Sequence, residues 1–262
     1  NARITSKSFN RWMLLPSFAK TIFNSFELCL ASSLESKNFL KELNARNIFY
    51  HGNLKLISVE DNLNLSKVNL EFLKQNRFWL AVSTHHGEEE LCLKTHLKLK
   101  EKFKNIITII APRHIQRSQN IKNLCSEYNL KSQILNNSEN IQKNFDIIIV
   151  NSFGLLSSYF KYAKSVFVGK STLKKLEKVG GQNPIEAAKF GCRIYHGPYV
   201  YNFREIYEIL EKNRISKKIN EEEELSKNVS IDLENFENKN NENSLLIKNL
   251  GKQTLSNTIL DI

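Results

Sequence analysis

Gly180-Gly181-Gln182-Asn183-Pro184-Ile185-Glu186 is the stretch most suited to chemistry. Two glycines free the backbone from its usual steric limits. Asn183 can cap a helix, Pro184 fits its first position, and Gly191 reads as its stop. Ser165–Val168 before it and Cys192–Tyr195 after it read as strands. A glycine-rich loop that opens a helix N-terminus between two strands is a place for an anion. Glu186, in the first turn, is near enough to accept hydroxyl donors of the same ligand. The string also fits a tight turn followed by an ordinary capped helix.

Three further groups could join it. Ser83-Thr84-His85 puts hydroxyls and an imidazole in a loop that runs through His86 and Gly87 into Glu88-Glu89-Glu90. Those glutamates suit a helix dipole, and Thr84 could simply be a cap. The His/Glu content resembles a metal motif but lacks the His-Glu-x-x-His spacing, so no metal is expected. In Pro112-Arg113-His114, the Arg113 fork suits phosphate, or else Arg113 is a surface residue at a helix entry. Asn202-Phe203-Arg204-Glu205 could close the site or face solvent, and Lys170, Lys174, Lys175 and Lys178 could add to an anion field or be merely solvated.

The elements that must position these groups alternate. Strands are expected at 78–83, 105–111, 146–150, 165–168 and 192–195, with helices at 88–102, 116–128, 153–162 and 202–211 between and after them. Strands apolar throughout and separated by helices imply a parallel sheet covered on both faces. Such sheets bind ligands beyond the C-terminal ends of their strands. Ser83, Arg113, Asn151, Gly169 and His196 each follow or close such a strand, so five strand ends bring polar groups to one edge.

The bulk properties bound the partners. The 262 residues carry a formal charge of +11. Residues 161–204 hold nine Lys or Arg against two Glu, whereas 221–262 hold four Lys against nine acids. The positive excess therefore surrounds the glycine-rich loop, which suits a polyanionic substrate or an anionic membrane surface. Basic–aromatic interleaving of the RNA-binding kind is absent, and no nucleic-acid partner is expected. Cys29, Cys92, Cys125 and Cys192 lie far apart among apolar neighbours and read as inert thiols. No stretch approaches eighteen apolar residues. The aromatic-rich run from Phe9 to Phe26, with Lys7, Arg11 and Lys20, fits either a core helix or a helix lying on a bilayer. Residues 55–69 read as a connector, and the acidic, Asn-rich 221–240 as a loosely packed excursion before a closing helix at 244–259.

Six blocks in order give the chain a family likeness. They are Asn1-Ala2-Arg3-Ile4-Thr5-x-x-Ser8-Phe9-x-x-Trp12, Gly52-Asn53-Leu54-Lys55, Ser83-Thr84-His85-x-Gly87-Glu88-Glu89, Pro112-Arg113-His114, Gly180-Gly181-Gln182-Asn183-Pro184-x-Glu186, and Gly197-Pro198-x-x-x-Asn202-Phe203-Arg204-Glu205. Over residues 1–210 the chain resembles the 3-deoxy-D-manno-octulosonic acid (Kdo) transferases of lipopolysaccharide synthesis. It departs from them at Lys170, where the family usually has Gly, at Gln182, where His is common, and at Ala187, where Pro is common.

The resemblance implies an α/β fold of the GT-B glycosyltransferase type, with two facing Rossmann-like domains. Residues 1–57 would be the late part of the acceptor-side domain, the rest of it being absent from a chain that starts at Asn1 without Met. Residues 58–215 would be the donor domain, and 216–262 a variable acidic segment with a closing helix. The implied activity is inverting transfer of Kdo from its cytidine monophosphate conjugate (CMP-Kdo) to a phosphorylated lipid A precursor. It would take place at the cytoplasmic face of the bacterial inner membrane, peripherally and without a cofactor. Ser83, Thr84, His85, Arg113, Gly180, Gly181 and Asn183 would hold the donor phosphate and Kdo carboxylate, and Glu186 the ribose. Pro112, His114, Gly197, Asn202, Phe203 and Arg204 would frame the nucleotide. The family's general base, a glutamate early in the first domain, has no counterpart here, so no catalytic residue is assigned. The alternatives are a nucleotide-binding remnant without turnover, or another GT-B nucleotide-sugar transferase or epimerase.

Overall fold

The computed structural model describes residues 1–57, 65–234 and 241–260, which fall into two compact units. The first comprises Asn1–Glu60 and Leu245–Ile262, and the second Asp61–Ser244. The expected boundary at 57/58 adjoins residues 58–64, which lie outside the described residues.

In the first unit, α1 (Ser6–Trp12) is capped by the Thr5 side chain, and α2 (Pro16–Asn24) starts at Pro16. The single helix suggested by the apolar run is therefore divided at the proline, which cannot donate to the preceding turn. β1 (Cys29–Leu30) pairs in parallel with β2 (Ile48–Phe49) across α3 (Leu34–Glu42). Ile4, Ala19, Phe23, Cys29, Ala31, Leu40 and Leu43 form the core. Phe9 stacks on Phe39, and Trp12 meets Phe23 edge to face. Part of the aromatic run thus faces inward, but Met13, Leu14, Leu15, Phe18 and Phe26 are exposed.

The second unit is built on one parallel sheet. Its chain order is α4 (Lys67–Gln75), β3 (Phe78–Thr84), α5 (Glu88–Lys102), β4 (Ile107–Pro112), α6 (Ser118–Glu127), β5 (Ser132–Leu135), β6 (Ile147–Val150), α7 (Leu156–Tyr162), β7 (Ser165–Val168), α8 (Ile185–Lys189), β8 (Arg193–His196), α9 (Arg204–Lys212), β9 (Ser216–Lys218) and α10 (Glu222–Glu234). The spatial order is β5-β6-β4-β3-β7-β8-β9, with every pairing parallel. All six residues of β4 and all four of β6 and β7 are buried, as the apolar runs require. From β3 the chain builds outward on one side through β4, then returns to add β7 on the other. The order therefore reverses between β3 and β7.

Residues 221–234 are not the expected loose excursion. Leu225, Val229 and Leu233, spaced four apart, put one face of α10 into the same core as α5. Ion pairs from Lys98 to Glu223 and from Lys102 to Glu234 flank the seam. Residues 235–240 lie outside the described residues. The closing helix α11 (Asn241–Ile259) contributes its residues from Leu245 onward to the first unit.

Candidate functional site

In open parallel sheets the ligand crevice lies beyond the C-terminal strand ends where the strand order reverses, which here is between β3 and β7. The loops after β3 and β7 border that crevice, and both carry strained backbone. Ser83 (φ 55°) and Lys170 (φ 58°) are left-handed without being glycine. A bulge between Val82 and Thr84 turns the end of β3. Gly169 allows the close approach. A Cβ there would stand 2.7 Å from Ser83 O and 2.8 Å from Glu88 Oε2.

Glu88 binds the two loops together. Its side chain is wholly buried at the start of α5. Oε2 accepts from the backbone of His85 (2.9 Å) and Lys170 (2.6 Å). Oε1 accepts from the Ser171 and Thr172 backbones and from Thr172 Oγ1 (2.8, 3.0 and 3.0 Å). The adjacent Glu89, also buried, takes both arms of Arg117 at 2.8 and 2.9 Å. Arg117 closes the short turn Ile115–Arg117 after β4, so the first turn of α5 holds three loops. The sequence reading missed this. A run of three glutamates at a helix start looks like dipole complementation, and nothing in the spacing says that two of them point inward.

Other expected site residues converge on the β3–β4 side. Arg113 N donates to Thr84 O (3.1 Å), and the His85 and His114 rings meet edge to face at 5.8 Å. Arg113 and His114 are exposed, His85 half-buried and Pro112 buried as the last residue of β4. The buried Thr84 hydroxyl has no hydrogen-bond partner among the described residues. Burial pushes the His85 pKa down, with smaller contributions in the same direction from Lys170 and His114, opposed by the Ser83 carbonyl and Glu88. His85 Nδ1 lies 3.1 Å from Ser83 O, which fixes the neutral tautomer with Nε2 as acceptor. Lys170 and Arg113 thus bring positive charge to the loops at this end of the sheet, beside the His85 and His114 rings.

The glycine-rich loop is laced to the next loop. Gly181 N donates to Lys170 O (2.6 Å), and Gly180 O accepts from Asn202 N (2.9 Å). Asn202 Nδ2 reaches Val179 O at 2.7 Å, and Gly197 N donates to Ser171 Oγ at 2.9 Å. A Cβ at Gly180 would collide with Tyr199 O. Gly180, Gly181, Gly197 and Asn202 therefore set the path of the backbone, and the Gly181 N–H is donated within the protein. Asn183 Oδ1 accepts from Ile185 N (3.1 Å), as a cap would, but α8 is only five residues long. Glu186 Oε1 accepts from Ser157 Oγ at 2.7 Å and so is engaged with α7. Phe203 is half-buried, and Arg204 lies over the Tyr201 ring at 5.7 Å. His196 turns from the crevice into α9, with Nε2 3.0 Å from Glu211 Oε1. Among the described residues no group of three His, Cys, Asp or Glu is placed to hold a metal ion.

Residues 1–58 match the family model described as 3-deoxy-D-manno-octulosonic-acid transferase (kdotransferase). The Rickettsia conorii 3-deoxy-D-manno-octulosonic acid transferase is 31% identical over 228 residues, which is 86% of this chain and 48% of that protein. The chain is thus similar to Kdo transferases over most of its own length. The Haemophilus influenzae Kdo transferase is 29% identical, over 80% of this chain and 49% of its own length. The chain thus spans about half the length of the curated Kdo transferases it matches. Among solved structures, the C-terminal CMP-Kdo binding domain of WaaA from Acinetobacter baumannii aligns with a TM-score of 0.58 at 19% identity, covering 72% of this chain and 93% of that one. Anabaena Alr3699/HepE in complex with UDP-glucose aligns with a TM-score of 0.52 at 12% identity, covering 95% and 68%. At these identities the likeness is one of fold, an α/β architecture of the GT-B glycosyltransferase kind.

Proposed function

We propose that residues 61–244 form the CMP-Kdo site of a GT-B Kdo transferase that transfers Kdo with inversion to a phosphorylated lipid A precursor. The observation that carries this reading is the positive field of Arg113 and Lys170, beside the His85 and His114 rings, in the loops where the strand order reverses. CMP-Kdo bears a phosphodiester and a carboxylate, so it presents two anions to that field. In the reaction an acceptor hydroxyl oxygen bonds to the anomeric carbon of Kdo from the face opposite the phosphate. The bond from that carbon to the phosphate oxygen breaks, CMP leaves as an anion, and the hydroxyl proton passes to a base. Arg113 stabilises the charge that grows on the leaving phosphate, which is where a fixed cation accelerates the step most. Neutral His85 and the Thr84 hydroxyl orient the donor. Glu186 and the 202–204 turn border the nucleotide, Glu186 reaching a ribose only by leaving Ser157.

The acceptor is amphiphilic, and the first unit fits that. Met13, Leu14, Leu15, Phe18 and Phe26 are exposed on a segment that carries Lys7, Arg11 and Lys20. This surface is proposed to rest on the anionic inner membrane from the cytoplasmic side. Among the described residues no helix is long and apolar enough to cross a membrane.

The test is to mix the protein with CMP-Kdo and a phosphorylated glucosamine-disaccharide lipid in anionic vesicles, following CMP release and lipid mass. A lipid product heavier by one Kdo unit, lost in Arg113→Ala, supports the reading. Sedimentation with vesicles and binding of CMP-Kdo without product would reduce it to donor binding. Saturable binding of another nucleotide sugar in preference to CMP-Kdo overturns it.

A further inference from the structure

Three successive backbone N–H groups, those of Lys170, Ser171 and Thr172, point at one place just after β7. The left-handed Lys170 creates that convergence, because alternation of hand at successive residues turns their N–H groups to the same side. Such a nest takes phosphate in many folds. Here it is already full. The buried Glu88 carboxylate accepts from all three, and from the Thr172 hydroxyl and His85 N as well. All five contacts come from donors. Gly169 leaves no slack behind it, since even a Cβ there would stand 2.8 Å from Glu88 Oε2.

We propose that Glu88 is a built-in anion that plugs the nest after β7, and so positions the phosphate of a bound nucleotide on the β3–β4 side of the crevice. A phosphate approaching the nest meets a carboxylate and finds its N–H donors already used. On the other side it meets exposed Arg113 and His114, half-buried His85 and the Lys170 side chain, whose charge is felt at His85. Glu88 is therefore a positioning residue. It acts through the loops it holds and through the place it denies to the ligand. The plug itself stands on the hydrogen bonds alone, whereas its consequence for the nucleotide rests on the CMP site proposed above.

The decisive variant is Glu88→Ala, which leaves a hole the size of a small carboxylate beside free N–H donors. Amide NMR of this variant is titrated with formate and with inorganic phosphate. Saturable shifts at Lys170, Ser171 and Thr172 are expected, and they should be absent in the wild type. Formate should also restore CMP affinity, which is expected to fall about tenfold without it. With the nest open, the phosphate of CMP gains a second seat, so Arg113→Ala should cost less affinity in the Glu88→Ala background than in the wild type. A merely structural role for Glu88 predicts equal costs and no response to formate. If neither anion moves these three amides, the plug is wrong. If Glu88→Ala does not fold, hydrogen exchange in the wild type and Glu88→Gln decides. The three amides should be protected in the wild type, and Lys170 or its neighbours faster in the glutamine variant, whose amide cannot accept on both sides. Free exchange of all three in the wild type overturns the plug. Failure of the wild type to bind CMP would remove the CMP site, while the amide shifts would still report on the plug.

Discussion

Replacing Arg117 by Met strips a buried carboxylate of its cation. The Glu89 side chain is 1% exposed and that of Arg117 21%, and the pair is bidentate. Breaking a buried pair at one partner costs about 3–5 kcal/mol, because the remaining charge stays out of water. Water reaches the guanidinium edge here, so the lower end, about 3 kcal/mol, is expected for Arg117→Met. Glu89→Leu leaves Arg117, whose edge water reaches, without its counter-ion and should cost about 1–2 kcal/mol. The double variant Glu89→Leu/Arg117→Met removes both charges and fills the space with apolar atoms. It should lie within about 1 kcal/mol of the wild type. Urea unfolding followed by far-ultraviolet circular dichroism gives these differences, provided the slopes agree. The coupling in the cycle should be about 2 kcal/mol or more. An Arg117→Met variant as stable as the wild type, or additive single changes, would show that the first turn of α5 does not hold the loop after β4 in this way.

His96 makes stability pH-dependent. Burial lowers its pKa to about 4, against a smaller upward pull from Asp146. The folded state then binds fewer protons than the unfolded one between pH 6.5 and 4, so this stability is complete above 6.5 and is lost as pH falls toward 4. The shift corresponds to about 3 kcal/mol, and melting curves across that range should flatten in His96→Gln; unchanged curves count against it. Gly180→Ala has no room, since its Cβ would collide with Tyr199 O and stand 2.8 Å from Leu176 O. It should cost about 1–3 kcal/mol by overpacking, read as a lower melting temperature. Lys170→Met removes a positive charge that disfavours protonated His85, so NMR titration should find the His85 pKa raised toward its ordinary value, with CMP bound more weakly. The thiols of Cys92 and Cys125 are pushed up by burial, Cys125 to about 11, and should react with a disulfide reagent only on unfolding.

The sheet was legible where burial writes itself into composition. Phe78–Val82, Ile107–Ala111, Ile147–Val150 and Val166–Val168 are apolar on both faces and were read as strands of a parallel sheet. β5 and β9 were not. Ser132–Leu135 alternates, and Ser216–Lys218 is an edge of three residues, two of them exposed lysines, so neither carries the pattern of a central strand. α4 was taken for part of a connector because only Asn69 and Leu73 of its residues are buried. α10 was hidden by its acidic composition, although Leu225, Val229 and Leu233 kept the helical period.

Polar groups read at strand ends, Ser83, Arg113 and Lys170 among them, do lie at one end of the sheet, but the sequence did not distinguish groups that face a ligand from groups that hold loops. Gly181, Asn202 and Glu186 look like ligand contacts and are engaged within the protein. Glu88 looks like a surface acid and is the most heavily bonded carboxylate at the crevice. Lys170 was noticed as a departure from glycine. Its φ of 58° gives the reason a glycine suits that position.

Calorimetric titration with cytidine monophosphate, beside uridine and adenosine monophosphates and with Arg113→Ala, tests the donor site most directly. Saturable binding that prefers cytidine and is lost in Arg113→Ala is the expected result. A folded protein that binds none of the three, or binds all equally with Arg113 replaced, would contradict the site.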